Sequence, residues 1–329
     1  MTRSARWLLA WVLASVSLVA GCGGSATGTG GASGREAAPG FPVTMTNCGM
    51  KTTYLRPPRR AVSLNQHATE VMLALGLQKS MVATGYLDDE ILPEYRAAYD
   101  SIKVMSKEYP SFETLLAAEP DFVYGGFAST FDAKEGRGRD ALAKAGINSY
   151  LNVEGCASGP VTVDTMDTEI RNIAKIFDVP ERAEERIAGL HRTLDAVRAE
   201  IAGVAPVRVF VYDSGDRTAF TAGGAGIGNE IIRRAGGVNL FADLDKTFGD
   251  VSFEQVADRA PEVIVIYDYG DRPVAEKKRF LLNNPALKDV PAIRNRRFAV
   301  LPLSSTVLGV RVPSAVESLA RQLHPDRFR

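Results

Sequence analysis

The chain is 329 residues long, carries 39 basic and 39 acidic side chains, and is 45% hydrophobic. That length accommodates two lobes of ordinary domain size, and a balanced charge without basic tracts argues against nucleic acid as a partner. With three histidines and no G-x-S-x-G, P-loop or H-E-x-x-H pattern, nothing points to an enzyme.

Arg3 and Arg6 open the chain with a short basic region, followed from Trp7 to Ala20 by an uncharged, mostly apolar run. At about fourteen residues the run is too short to span a bilayer and suits a signal-peptide core. The small residues Ala20 and Gly21 before Cys22 fit a lipoprotein signal peptidase. Residues 1–21 are therefore expected to be removed and Cys22 to be diacylated; secretory cleavage nearby is the alternative. Residues 22–40 are nearly all Gly, Ser, Thr and Ala and read as a flexible tether. The expected place is the outer face of the cytoplasmic membrane, with the lipid anchor as the membrane contact. Loss of Trp7 and Trp11 leaves the mature chain without tryptophan.

From Pro42 to Tyr54 polar and apolar residues alternate around Asn47-Cys48-Gly49, which predicts a β-ribbon with a turn. Strands are predicted at 61–64, 81–85, 122–124 and 148–153, and helices at 68–75, 112–118 and 140–145. Between Pro160 and Pro206 the strand signals vanish. There 163–177 reads as a helix and 180–204 as a longer one, with Ala183, Ile187, Leu190, Leu194 and Val197 at helical spacing. Residues 207–212 begin a new strand–helix alternation that runs to Arg311, and 313–323 is the last helix. Such alternation implies parallel sheets in an α/β fold. The division expected is an N-terminal lobe over 41–160, linking helices over 161–205 and a C-terminal lobe over 206–329.

The two halves repeat one another. Ser111-Phe112-Glu113 is matched by Ser252-Phe253-Glu254, and each glutamate is followed by a proline, Pro120 and Pro261, then an acid and an apolar strand. Upstream, Glu70 precedes Gly76 by the same spacing as Glu230 precedes Gly236. Two similar Rossmann-like lobes joined by one long helix is the simplest architecture. Ligands of open α/β sheets bind at the carboxyl ends of strands, so two facing lobes make a cleft. Cys48 and Cys156, an even pair in an oxidising compartment, suggest a disulfide; two separate buried thiols are the alternative.

The segments Ser63-Leu64-Asn65 leading to Thr69-Glu70 and Leu75-Gly76, Pro110 to Glu113 leading to Pro120-Asp121, Gly236 to Phe241, and Val251 to Glu254 leading to Pro261-Glu262 carry a resemblance. In order and spacing they resemble the ABC-transporter solute-binding proteins for ferric siderophores, haem and cobalamin, from about Pro57 to the C-terminus. The cysteine pair and the lipoprotein start resemble the actinobacterial iron-siderophore branch. The resemblance implies a single rigid helix between the lobes and a monomeric receptor that hands its ligand to an ABC permease dimer with its ATPase. By position it also implies that Glu113 and Glu254 dock onto permease arginines. A glutamate that merely complements a helix dipole is the alternative for each.

Ligand contacts are expected from the loops after the strands: Asn65, Gln66, Tyr86, Tyr109, Phe127 and Arg137 in the first lobe, with His67 beside them. The second lobe is expected to supply Tyr212, Arg217, Thr221, Phe248, Tyr267, Tyr269 and Arg311, with Asp213 nearby; Arg139 is also placed to reach the cleft. Aromatic faces with a few arginines suit a bulky ligand bearing oxygen anions. Residues 223–228 look like a dinucleotide fingerprint, but Asn229 stands where the last glycine would be. A ligand-facing turn or a tight turn is the reading there. His67, His191 and His324 are too few to hold bare metal, so iron would arrive already chelated, with no cofactor of the protein's own. Haem and cobalamin remain alternatives, and the lack of tryptophan leans against cobalamin.

Overall fold

Strand β12 (Val263–Asp268) is apolar on both faces: Val263, Val265 and Tyr267 enter one core cluster while Ile264 and Ile266 enter another. That is the pattern of a parallel strand covered by helices on both sides, and it sets the architecture. The structure is a computed structural model that describes residues 36–87, 89–270 and 272–328. The expected signal segment, Cys22 and most of the tether lie outside the described residues. From Ala37 onward the chain is one compact unit.

That unit opens with an antiparallel ribbon, β1 (Val43–Asn47) and β2 (Met50–Tyr54). The first lobe follows as β3 (Ala61–Leu64), α1 (Gln66–Ala74), β4 (Met81–Gly85), α2 (Arg96–Tyr99), β5 (Val104–Ser106), α3 (Phe112–Ala117), β6 (Phe122–Gly125), α4 (Arg139–Lys144) and β7 (Asn148–Leu151). Helices α5 (Val163–Phe177) and α6 (Pro180–Glu200) carry the chain across. The second lobe is β8 (Val207–Tyr212), β9 (Ala219–Ala222), α7 (Ile227–Arg234), β10 (Gly237–Asn239), β11 (Phe248–Val251), α8 (Phe253–Arg259), β12, α9 (Val274–Asn283), α10 (Pro291–Arg294), β13 (Phe298–Pro302) and α11 (Val312–Leu323).

The first sheet is parallel in the order β5-β4-β3-β6-β7 and the second in the order β10-β8-β12-β13, with β9 and β11 as a separate antiparallel pair. In each sheet the chain adds strands on one side of its first strand and then returns to the other side. The switch points, where strand order reverses and ligands of open α/β sheets bind, therefore lie between β3 and β6 and between β8 and β12.

Helix α6 has Pro180 in its first turn, and its buried side is Ala183, Ile187, Leu190, Leu194 and Val197. It ends at Glu200, short of the expected 204, because Gly203 takes φ +74° and turns the chain. One hydrophobic cluster runs from α1 and α5 through α6 into α7 and α11, so the lobes share a core along that side. Each sheet's opposite face has a core of its own: Val62, Leu64, Leu115 and Val123 in the first lobe, Phe210, Phe241, Ile264 and Leu281 in the second. Cys48 and Cys156 form a disulfide with Cα atoms 5.5 Å apart, tying the ribbon to the chain just after β7.

Candidate ligand-binding site

At the first switch point β3 ends at Leu64, and Asn65 adopts φ 80°. A non-glycine residue holds that region when its side chain is anchored. Its Oδ1 accepts from the Tyr109 hydroxyl (3.1 Å), Thr130 Oγ1 (3.0 Å) and Phe127 N (3.4 Å). One side chain thus joins the loops that follow β3, β5 and β6. The Tyr109 ring packs on Tyr86 with centroids 4.4 Å apart, and the Arg137 guanidinium lies 5.4 Å from its centre. Arg137 is buried, with Nε donating to Thr130 O. Five expected contacts, Asn65, Tyr86, Tyr109, Phe127 and Arg137, are therefore neighbours.

His67 sits below them, buried, with its ring 4.7 Å from Phe127; a Cβ on Gly126 would overlap it. Burial lowers its pKa to about 4, so the ring is neutral. Gln66 Nε2 donates to Glu70 Oε1 and Glu90 O. Asn65 Nδ2, Gln66 Oε1 and His67 Nδ1 are buried without a protein partner.

At the second switch point the buried Lys277 ammonium, from α9, bridges the ends of β8 and β12. It donates to Asp213 O (2.8 Å) and Tyr267 O (2.6 Å) and lies 4.5 Å from the centre of the Tyr269 ring. The Tyr269 hydroxyl donates to the Asp213 carboxylate. Burial lowers the Lys277 pKa and raises that of Asp213. Lys277 was invisible to sequence reasoning, because an amphipathic helix normally places its lysines in water.

The other second-lobe candidates scatter. Tyr212 and Tyr267 are fully buried, the first stacked on Phe280 and the second in the shared core. Thr221 is buried with an unpartnered hydroxyl, Phe248 is partly buried against Phe220, and Arg217 is exposed in the β8–β9 loop. Arg311 is committed to Glu70 and Asp89 of the first lobe. Arg139 does not reach the cleft set: it donates to Asn47 O and to Ser149, bracing the ribbon against β7. The glycine-rich turn before α7 does not present a free helix N-terminus either, since Glu154 Oε1 accepts from Ile227 N.

Glu113 and Glu254 stand at matched places, each exposed at the second residue of its helix behind a serine cap. Ser111 Oγ accepts from Thr114 N and Ser252 Oγ from Gln255 N. Each carboxyl is held below its ordinary range by its own backbone N–H and then by the capping serine.

Two parallel α/β lobes joined by a long helix and a shared core define the fold of a two-lobed solute-binding protein. A family model described as periplasmic binding protein matches residues 62–304, and the chain belongs to that family. Its members are solute-binding proteins and not enzymes. The chain is similar to a periplasmic binding protein from Veillonella parvula, 32% identical with a TM-score of 0.80 over 86% of this chain and 97% of the other. It is also similar to an ABC-type Fe3+-hydroxamate transport protein from Saccharomonospora viridis, 26% identical with a TM-score of 0.72 over 86% and 99%. A vitamin B12-binding protein from Vibrio parahaemolyticus is 28% identical over 63% of this chain and 70% of that protein.

Proposed function

We propose that the protein is the extracytoplasmic receptor of an ABC importer that captures a ferric siderophore and delivers it to the permease. The observation that carries this reading is the first-lobe wall, where Asn65 accepts from the Tyr109 hydroxyl and Phe127 N, and the Tyr109 ring lies between Tyr86 and the Arg137 guanidinium. Aromatic faces take the organic body of a chelate, and a guanidinium behind them favours its oxygen anions. Tyr269 at the second switch point supplies the opposite wall, and the chelator holds the iron. The likeness to the Fe3+-hydroxamate transport protein supports the same reading. Cobalamin is the second reading, favoured by the vitamin B12-binding relatives.

Delivery in this reading uses Glu113 and Glu254 as docking points for arginines of the permease dimer. Cys22 carries the lipid that keeps a monomeric receptor on the membrane's outer face. Calorimetry of the mature protein against ferric hydroxamate, catecholate and carboxylate chelates, haemin and cyanocobalamin tests the ligand. Saturable binding of one ferric chelate class is expected; binding of cyanocobalamin alone replaces the siderophore reading with the second one.

A further inference from the structure

Helix α6 is not the only tie between the lobes. The second lobe sends the stretch between β13 and α11 across the gap, where it meets first-lobe carboxylates at two places. At one, Arg311 forms a bidentate pair with Glu70 through Nε and Nη2, both at 2.7 Å. Nη2 also donates to Glu90 O (2.5 Å), while Ser304 Oγ donates to Asp89 (2.7 Å). Both members of the Arg311–Glu70 pair are buried, at 6% and 0% exposure.

At the other place Leu308 N donates to Glu154 Oε2 (2.7 Å), and Leu308 O accepts from Asn152 Nδ2 (3.0 Å). The second oxygen of Glu154 accepts from Ile227 N at the start of α7 (2.9 Å). One carboxylate thus holds two separate pieces of the opposite lobe. Between the two places Gly309 lies against His67, where a Cβ would come within 3.1 Å of the His67 Cβ. The loop that carries Glu154 is itself pinned to the first lobe: the Asn47 side chain bonds both N and O of Leu151, and Cys156 is bonded to Cys48.

A bidentate guanidinium pair and a carboxylate accepting two backbone N–H groups are directional and tolerate little displacement. Separating either in a buried site strands a charge away from water. We propose that residues 303–311 form an inter-lobe clasp that sets the width of the cleft, with Arg311 on Glu70 and Glu154 on Leu308 and Ile227 as its two catches. The role of that width in binding rests on the proposed function; the clasp itself does not. Arg311 is then a positioning residue, and a ligand enters a cleft whose floor is already assembled.

The test places spin labels on cysteines introduced at the exposed Lys107 and Lys288, one in each lobe, in the mature chain with its disulfide intact. Inter-lobe distances are read by pulsed dipolar spectroscopy. One narrow distribution is expected for the parent protein. Glu70→Gln with Arg311→Gln and Glu154→Gln is expected to broaden and shift it. An unchanged distribution overturns the clasp and leaves the spacing to α6 and the shared core.

Should that variant fail to fold, hydrogen exchange of the unsubstituted protein decides. The Leu308 and Ile227 amides bond the two oxygens of one carboxylate and are expected to show matched protection; a difference beyond about 10-fold overturns the clasp. Failure to bind any ligand of the calorimetric panel would overturn the proposed function while leaving these distances to stand.

Discussion

Glu169 of α5 is a carboxylate satisfied by neutral donors: Tyr124 OH at 2.5 Å, Tyr150 OH at 3.0 Å and Val153 N at 3.3 Å. Burial outweighs those donors and raises its pKa from 4.5 to about 7. A folded pKa above the unfolded one stabilises most below pH 4.5, and that stability is lost as pH rises through 7, an effect of about 3 kcal/mol. Glu169→Gln keeps an acceptor for the tyrosines and should remove this loss, visible as a flatter denaturant midpoint between pH 5 and pH 8. His67 works in the opposite sense. Its pKa falls from 6.5 to about 4, so its contribution is complete above pH 6.5 and is lost as pH falls through 4. In His67→Asn the acid limb should become shallower on the same titration; an unaltered limb would mean the ring is not shielded from water. At the surface, Glu113→Ala with Glu254→Ala should leave ligand binding intact and abolish uptake by cells, and undiminished uptake would remove both from the docking role.

Helices α3 and α8 show how far local pattern reaches. The repeated Ser-Phe-Glu places a capping serine, a half-buried or buried phenylalanine and an exposed glutamate at the same positions of both helices. Ser252 also forms a reciprocal box with Gln255. Ser252→Ala should therefore cost about 1 kcal/mol of stability by chemical denaturation. The buried face of α6 and strands β3, β4 and β8 were equally legible, since each has a strong apolar period or run and clear stop signals. The pair β9 and β11 was not. Phe248–Val251 contains Gly249 and Asp250, poor strand formers, and exists because it pairs with Ala219–Ala222. Strands β5 and β10 are three residues each and are likewise made by their neighbours rather than by pattern.

For the whole molecule, the Cys48–Cys156 bond spans 108 residues and ties the ribbon to the far end of the first sheet. Chain entropy gives such a cross-link up to about 4–5 kcal/mol, so Cys48→Ser with Cys156→Ser should lower the unfolding free energy, read by chemical denaturation, by less than that full amount. The shared core along α6 also predicts that solution scattering profiles with and without bound ligand will nearly superimpose; a large contraction on binding would mean the lobes hinge. The α/β class, the two similar halves, the bridging helix and the cysteine partners available to one another were legible in the chain, because these rest on periodicity, composition and repeats within short windows. The sequence also pointed to Asn65, Tyr109, Phe127 and Arg137, which the fold brings together, because each lies in a loop after a first-lobe strand. Which candidates meet is settled by long-range packing. Arg311 finds Glu70 241 residues away, Leu308 finds Glu154 across 154, and Lys277 reaches Asp213 across 64. No local pattern encodes such pairs, since burial of a charge is settled by which surfaces the folded chain brings together.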